Sequence, residues 1–286
     1  MHKNLLPDEE RIIRMYDAVY SGCSRKVGCI IRQGVFGLKG ENIGQNSIVS
    51  KADFEQLALL SGIKKGRKVL DLCCGDGGVT VHFAKKYRCN IVGIDFSENG
   101  IKAARNLAKS RRVNSRCSFH LLNARDMFFP DGHFDVIYSS DSFLHIEDKF
   151  FLLKECFRVL KPGGKLVFYD WLDNNGVPKM LQETGKIWGP IYLFSEMQYK
   201  KLLKKIGFIV LEVKDNSCKF SQVVSRWKMA NLKCKGAIIK ECGLKYFLKA
   251  GERWKIADFL ANSGLLGQSL FLCGKPYQSN MKKTGI

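Results

Sequence analysis

The stretch Lys68-Val69-Leu70-Asp71-Leu72-Cys73-Cys74-Gly75-Asp76-Gly77-Gly78 passes from an apolar strand to an acid, then into a loop of small residues. A helical pattern follows, from about Gly78 to Tyr87. The next strand, Asn90-Ile91-Val92-Gly93-Ile94-Asp95, ends in a second acid 20 positions after Gly75. A strand–turn–helix with an acid at that distance is the layout of a nucleoside-binding crevice in an α/β fold. Small residues let backbone approach a ligand closely, and the second acid can accept hydrogen bonds from both ribose hydroxyls.

The alternation continues outward from this stretch. A helix is expected over 98–111, a third strand over 118–122, a fourth over 134–138 and an amphipathic helix over 148–160. The helix stops at Lys161-Pro162-Gly163-Gly164, and a fifth strand covers 165–170. Repeated β-α-β units imply right-handed crossovers and a mostly parallel, buried sheet. Upstream, 8–20 reads as a helix, with Asp8 as cap and Ile12, Ile13, Tyr16, Val19 and Tyr20 at helical spacing. Residues 21–50 read as irregular and Gly-rich, a long connector of the kind that serves as a lid, and 52–62 as a short helix. Downstream, 176–206 reads as helical with Gly207 as its stop, 208–213 as strand six, and 216–266 as helices with basic faces. Ser269 to Gly274 is a final strand beside strand six. The expected units are an N-terminal helical lid at 1–62 and a nucleoside-binding core at 63–175. Acceptor-side helices with strands six and seven follow at 176–275, and a frayed tail at 276–286.

Composition narrows the classes. The 286 residues include 47 Lys or Arg against 27 Asp or Glu, a net charge of +20. The span 199–256 alone holds 15 basic and 4 acidic residues. Such a field suits nucleic acid, anionic lipid or an acidic metabolite, and equally a solvated Lys-rich surface. No apolar run approaches the roughly 18–20 residues that span a bilayer. The N-terminus turns acidic by Asp8 without a long apolar stretch, which argues against a secretory leader. The eleven cysteines form neither a CxxC pair nor a zinc-spaced cluster. A reduced, cytoplasmic chain with cysteines used as small hydrophobes is expected, with no metal site.

With these residues in view, the chain resembles the class I S-adenosylmethionine-dependent methyltransferases, firmly over about 67–175. The Val69–Gly78 run looks like the family's first motif, and Val92-Gly93-Ile94-Asp95 like its ribose motif. Asn123-Ala124-Arg125-Asp126 with Phe129–Asp135 resembles the adenine loop and fourth strand, and Arg158–Leu166 the turn before strand five. The resemblance implies a Rossmann-like three-layer sandwich: a seven-stranded, mostly parallel sheet with its last strand antiparallel, plus helical lid insertions. It implies S-adenosylmethionine as methyl donor, held by Asp71, Cys73, Gly75, Gly77, Asp95, Phe96, Asn123, Ala124, Ser140 and Gln45. Two positions depart from the family pattern. Cys73 replaces a glycine, and Asn123 replaces an acid whose place against the adenine amino group its carbonyl oxygen can take.

The segment Tyr138 to Lys149 is similar to the region after strand four in phosphoethanolamine and sarcosine/dimethylglycine N-methyltransferases, and Gly44-Gln45-Asn46-Ser47 resembles an N-terminal element of their small-molecule relatives. His145, just past the carboxyl end of strand four, has the near-neutral imidazole suited to accepting a proton. The resemblance implies a His–Tyr pair, with Tyr16 or Tyr20 as its phenol and Asp141 holding the acceptor or orienting His145. Trp171 and Tyr192 are further candidates for an acceptor wall. Each of these residues also has an ordinary structural role open to it, as helix cap or core packing. The leading function is methyl transfer to a small-molecule acceptor, an amine by preference. A second is C- or O-methylation of an apolar quinone- or sterol-like lipid, with peripheral contact to an anionic membrane through 216–266. RNA methylation is weaker: Ser139-Ser140-Asp141-Ser142 replaces the Asn/Asp-Pro-Pro-aromatic turn that grips a flipped base, so no specific nucleic-acid partner is expected. A catalytically silent scaffold would bind donor without turnover.

Overall fold

A computed structural model describes residues 7–37, 40–177 and 189–277. Among them run α1 (Pro7–Val19), α2 (Gly22–Phe36), α3 (Lys51–Ser61), β1 (Lys68–Leu72), α4 (Gly78–Tyr87), β2 (Asn90–Asp95), α5 (Glu98–Ser110) and β3 (Cys117–Leu121). β4 (Phe134–Ser140), a short 3-10 turn (Phe143–His145), α6 (Lys149–Val159) and β5 (Leu160–Asp173) follow. The remainder is α7 (Glu196–Ile206), β6 (Ile209–Asp215), α8 (Ser217–Lys233), α9 (Lys235–Cys242), α10 (Leu244–Asn262) and β7 (Leu266–Gly274).

The seven strands form one sheet in the order β3-β2-β1-β4-β5-β7-β6. β1 to β5 are parallel, and β7 inserts antiparallel between β5 and β6. Side chains that alternate along each strand feed opposite layers. Val69, Val136 and Val167 face Phe54, Leu57, Phe83 and Ala104 on α3, α4 and α5. Leu70, Leu72, Ile137 and Phe168 face Leu152, Leu153 and Cys156 of α6 and Tyr199 and Leu203 of α7. With both faces covered, the strands need apolar residues on both sides, so they read as continuous hydrophobic runs. The helix starts are locally coded. Ser50, Ser97 and Ser195 accept backbone N–H bonds from Asp53, Gly100 and Gln198, and Ser195–Gln198 closes a full capping box.

A third core joins the two ends of the chain. Val27, Ile31 and Val35 of α2 pack with Phe220, Val224 and Trp227 of α8 and with Phe247, Trp254 and Leu260 of α10. Leu144, in the turn after β4, and Trp171, near the carboxyl end of β5, complete it. The expected irregular stretch at 21–50 is thereby corrected: 22–36 is helix, and the loop proper begins near Gly40. Gly34 misled because it serves packing rather than turning. A Cβ on Gly34 would stand 3.2 Å from the Cβ of Ala230 on α8. The expected helix over 176–206 is also corrected. Residues 178–188 lie outside the described residues, 189–194 run without helix to a bridge between Phe194 and Leu172, and helix covers only Glu196–Ile206. Of the expected tail, 278–286 lies outside the described residues.

Candidate active site

The carboxyl ends of β1, β2 and β4 surround a cavity, as expected where strand order reverses in an open α/β sheet. Asp71, Cys73, Gly75, Asp95, Phe96, Asn123, Ala124, Ser140, Asp141, His145, Gln45, Tyr16 and Tyr20 all line it. Gly77 does not. A Cβ there would meet the Cβ of Ala104 at 2.7 Å, so its bareness lets α4 pack on α5 instead of admitting a ligand. Cys73 adopts φ 64°, a left-handed conformation that favours glycine, so its side chain carries backbone strain at the head of the loop.

Each acid of the cavity is held differently. Asp71 accepts from Thr80 and Tyr138, and burial pushes its carboxyl up to about 7. Asp95 accepts the N–H of Gly75 and of Ser97, both at 2.9 Å. Burial raises it to about 6 against those bonds. A buried carboxylate with lone pairs left over and no cation beside it is suited to neutral hydroxyl donors such as those of a ribose. Asp141, at φ 49°, accepts from Ile48 N at 2.7 Å and Gln268 Nε2 at 2.6 Å. It ties the 45–48 loop to β7, and burial lifts it to about 7. Gln45 folds its own loop, accepting from Ile43 N and donating to Glu41 O.

Helix α1 lies across this crevice and is latched at both ends. Asp17 accepts from Ser97 Oγ and Asn99 N. Glu9 accepts from Asn123 Nδ2 at 3.1 Å and from the Arg125 guanidinium at 2.7 Å. Glu9 was missed by sequence reasoning, which saw only an acid in a first helical turn. Tyr20 stands over the glycine loop. A Cβ on Gly75, whose φ is 54°, would fall 2.4 Å from the Tyr20 hydroxyl. Loop 40–47 presses from the other side, since a Cβ on Gly78 would meet Gly44 O at 2.3 Å. Behind it, Arg32 of α2 pairs with Asp76 at 3.4 Å, both side chains nearly buried.

The Tyr16 hydroxyl lies 2.9 Å from His145 Nε2, with the rings edge to face at 5.4 Å. His145 Nδ1 lies 2.9 Å from Pro190 O. A carbonyl only accepts, so Nδ1 carries the proton; burial lowers the imidazole to about 4 and keeps it neutral. Nε2 therefore presents a lone pair, and the Tyr16 O–H donates to it. Pro190, not Asp141, orients His145. Burial holds the Tyr16 phenol well above its usual range. The turn carrying His145 is pinned from below. Asp170 accepts from Leu144 N and the Tyr199 hydroxyl, and Lys149 donates to Ile146 O and Tyr192 O. Tyr192 itself donates to Asp8 and does not line either cavity of the site.

Tyr16, His145 and Asp141 form a wall shared with a second chamber of about 490 Å³, lined by Trp171, Trp227, Tyr246 and Trp254. The two cavities thus meet at a tyrosine–histidine pair.

Residues 70–168 match the family model described as a methyltransferase domain. Over these residues the chain carries a methyltransferase domain. It is 38% identical over 168 residues to phosphoethanolamine N-methyltransferase 1 of Arabidopsis thaliana, covering 57% of this chain and 33% of that protein. It is 32% identical over 215 residues to phosphoethanolamine N-methyltransferase 1 of Zea mays, covering 74% and 42%. The chain thus spans less than half the length of these curated relatives. The structure of Haemonchus contortus phosphoethanolamine N-methyltransferase 2, in complex with phosphomonomethylethanolamine and S-adenosylhomocysteine, superposes with a TM-score of 0.77 at 22% identity. That alignment covers 88% of this chain and 58% of the other. No helix among the described residues is long and apolar enough to cross a membrane.

Proposed function

We propose that the protein transfers a methyl group from S-adenosylmethionine to a small-molecule amine, with Tyr16 and His145 handling the proton. The observation that carries this reading is the 2.9 Å contact between Tyr16 Oη and a neutral His145, at the junction of the two cavities. When bound, the donor supplies an activated methyl on a sulfonium, so the chain need only align the partners and exclude water. Asp95 would hold the ribose hydroxyls, Asn123 and Ala124 the adenine edge, and Asp71, Cys73 and Gly75 the amino-acid end. The acceptor nitrogen attacks with its lone pair and becomes an ammonium. It passes a proton to Tyr16 Oη as the Tyr16 proton moves to His145 Nε2, and the imidazolium then loses it to solvent. A low imidazole pKa makes that return easy. The relatives named for phosphoethanolamine support an amine, and the free state of all eleven cysteines supports a cytoplasmic setting.

The test is calorimetry with S-adenosylhomocysteine, followed by turnover of an amine panel. Donor-product binding and amine-dependent release of S-adenosylhomocysteine are expected. No binding of the product nucleoside would end this reading.

A further inference from the structure

The outer surface of α8 and α10 joins cations to large apolar side chains that the core beneath does not use. On α10, Leu244, Leu248, Lys255 and Phe259 recur at i, i+4, i+11 and i+15, a single row turned away from the buried Phe247, Trp254 and Leu260. Leu244, Leu248 and Phe259 are 54%, 58% and 60% exposed, and Met229 and Leu232 of α8 are each 46% exposed. The two helices run antiparallel, side by side. Trp227 stacks on Trp254 at 5.0 Å, and Lys228 pairs with Asp258. A Cβ on Gly251 would stand 3.4 Å from Asn231 Nδ2, and Lys235 Nζ lies 5.9 Å from the centroid of the Phe247 ring. This register sets Leu232 within one turn of Leu248, so the apolar residues of the two helices adjoin.

The charge around them has one sign. Residues 217–262 hold 10 Lys or Arg against 3 Asp or Glu. Glu241 pairs with Lys26 at 3.3 Å and Asp258 with Lys228, which leaves Glu252 as the one exposed acid of α8 to α10. Arg226, Lys233, Lys245, Lys249 and Lys255 are exposed, and none of them forms an ion pair among the described residues. A nucleic-acid backbone would engage the cations and leave the leucines in water. The centre of a protein interface is depleted in lysine. An anionic bilayer uses both sets, the cations at its headgroups and the apolar side chains at the boundary with the acyl chains.

We propose that the face formed by α8 and α10 docks on an anionic lipid surface, with α10 lying in the plane of the membrane. Leu244, Leu248 and Phe259 enter the boundary between headgroups and acyl chains, and Lys245 and Lys255 meet lipid phosphates. Lys249 and Glu252 also line the second chamber, so docking sets its rim beside the headgroups. The proposal does not depend on which molecule that chamber accepts.

The full chain is sedimented with vesicles of phosphatidylcholine alone and of phosphatidylcholine with about a third phosphatidylglycerol, at low and high salt. Binding to the anionic vesicles is expected, at least tenfold tighter than to the neutral ones and weakened by salt. Lys245→Gln with Lys255→Gln is expected to weaken it about twentyfold, at about fivefold for each cation near an anionic surface. Leu244→Ser with Leu248→Ser keeps every charge and is expected to weaken it at least fivefold. Lys201→Gln with Lys204→Gln, the same charge change on exposed positions of α7, is expected to weaken it less than twofold. Thermal melts check that each variant folds as the wild type does. Equal binding to both vesicles, an equal loss in the α7 variant, or an unchanged affinity in the leucine variant would overturn the proposal. So would duplex RNA that binds tighter than the anionic vesicles and loses affinity in the Lys245 and Lys255 variant.

Discussion

Acidification from pH 7 to pH 4 probes the tyrosine–histidine pair directly. His145 is partly buried, and its imidazole is pushed down from 6.5 to about 4, chiefly by burial and then by the charge of Lys149, against the Pro190 carbonyl. In the unfolded chain the same ring takes up a proton near 6.5. Between these values the unfolded state binds more protons, so stability falls as the pH drops through this window. At about 1.4 kcal/mol per pKa unit, the difference of about 2.5 units corresponds to a loss of about 3 kcal/mol. His145→Gln removes the titration, so the acid-side loss of the variant is expected to be smaller by that amount in urea denaturation at pH 6.5 and pH 4. Nitrogen-15 NMR on histidine-labelled protein reads the site itself, the variant giving the assignment. The expected spectrum at pH 7 shows a neutral ring protonated at Nδ1, unchanged until near pH 4. A ring protonated at Nε2, or one that titrates at 6 or above, would refute the relay direction, because Nε2 could then not accept from Tyr16.

Three further outcomes follow from the geometry. Arg32→Met leaves the Asp76 carboxylate buried and unpaired. It is expected to cost about 3–5 kcal/mol in denaturant unfolding, and Arg32→Met with Asp76→Asn to cost clearly less. Gly75→Ala combines a left-handed φ of 54° with a Cβ 2.4 Å from the Tyr20 hydroxyl. S-adenosylhomocysteine affinity is expected to fall at least tenfold by calorimetry, with partial recovery when Tyr20→Phe removes that oxygen. Lys149, lowered to about 8 by burial, binds its proton less tightly folded than unfolded. Wild-type stability is therefore expected to rise between pH 8 and pH 10 in thermal melts relative to Lys149→Met, which lacks that titration.

The core sheet was legible because its code is local. Strand, small-residue loop and helix follow one another within Lys68–Tyr87, and Ser97 and Ser195 mark helix starts by chemistry that needs no distant partner. That Asp71 and Asp95 line the cavity was legible for the same reason, since both lie at strand ends. What escaped depends on contacts across the chain. Helix α2 was hidden because Gly34 looks like a breaker until Ala230, 196 positions later, is seen against it. Val27, Ile31 and Val35 carried a helical period that the glycines outweighed. Glu9 gained meaning only from Asn123 and Arg125. Arg253 was one of 15 basic residues between 199 and 256, and no pattern separates an arginine laid on a tryptophan ring from a solvated one.

The place of β7 in the sheet has a consequence for how the chain is made. β7, the most C-terminal strand among the described residues, pairs on one side with β5 from Lys165 to Asp173 and on the other with β6. Until Leu266–Gly274 emerges, β5 and β6 have no common neighbour, and both present open edges on which other chains can add. Helices α8 and α10, which line the second chamber, are already synthesised by then, but the sheet on which they rest is incomplete. These contacts between distant segments slow closure, and they make the interval before β7 docks the period of greatest aggregation risk. A chain cut before Leu266 would lose the wedge that joins the nucleoside-binding half of the sheet to its outer strand.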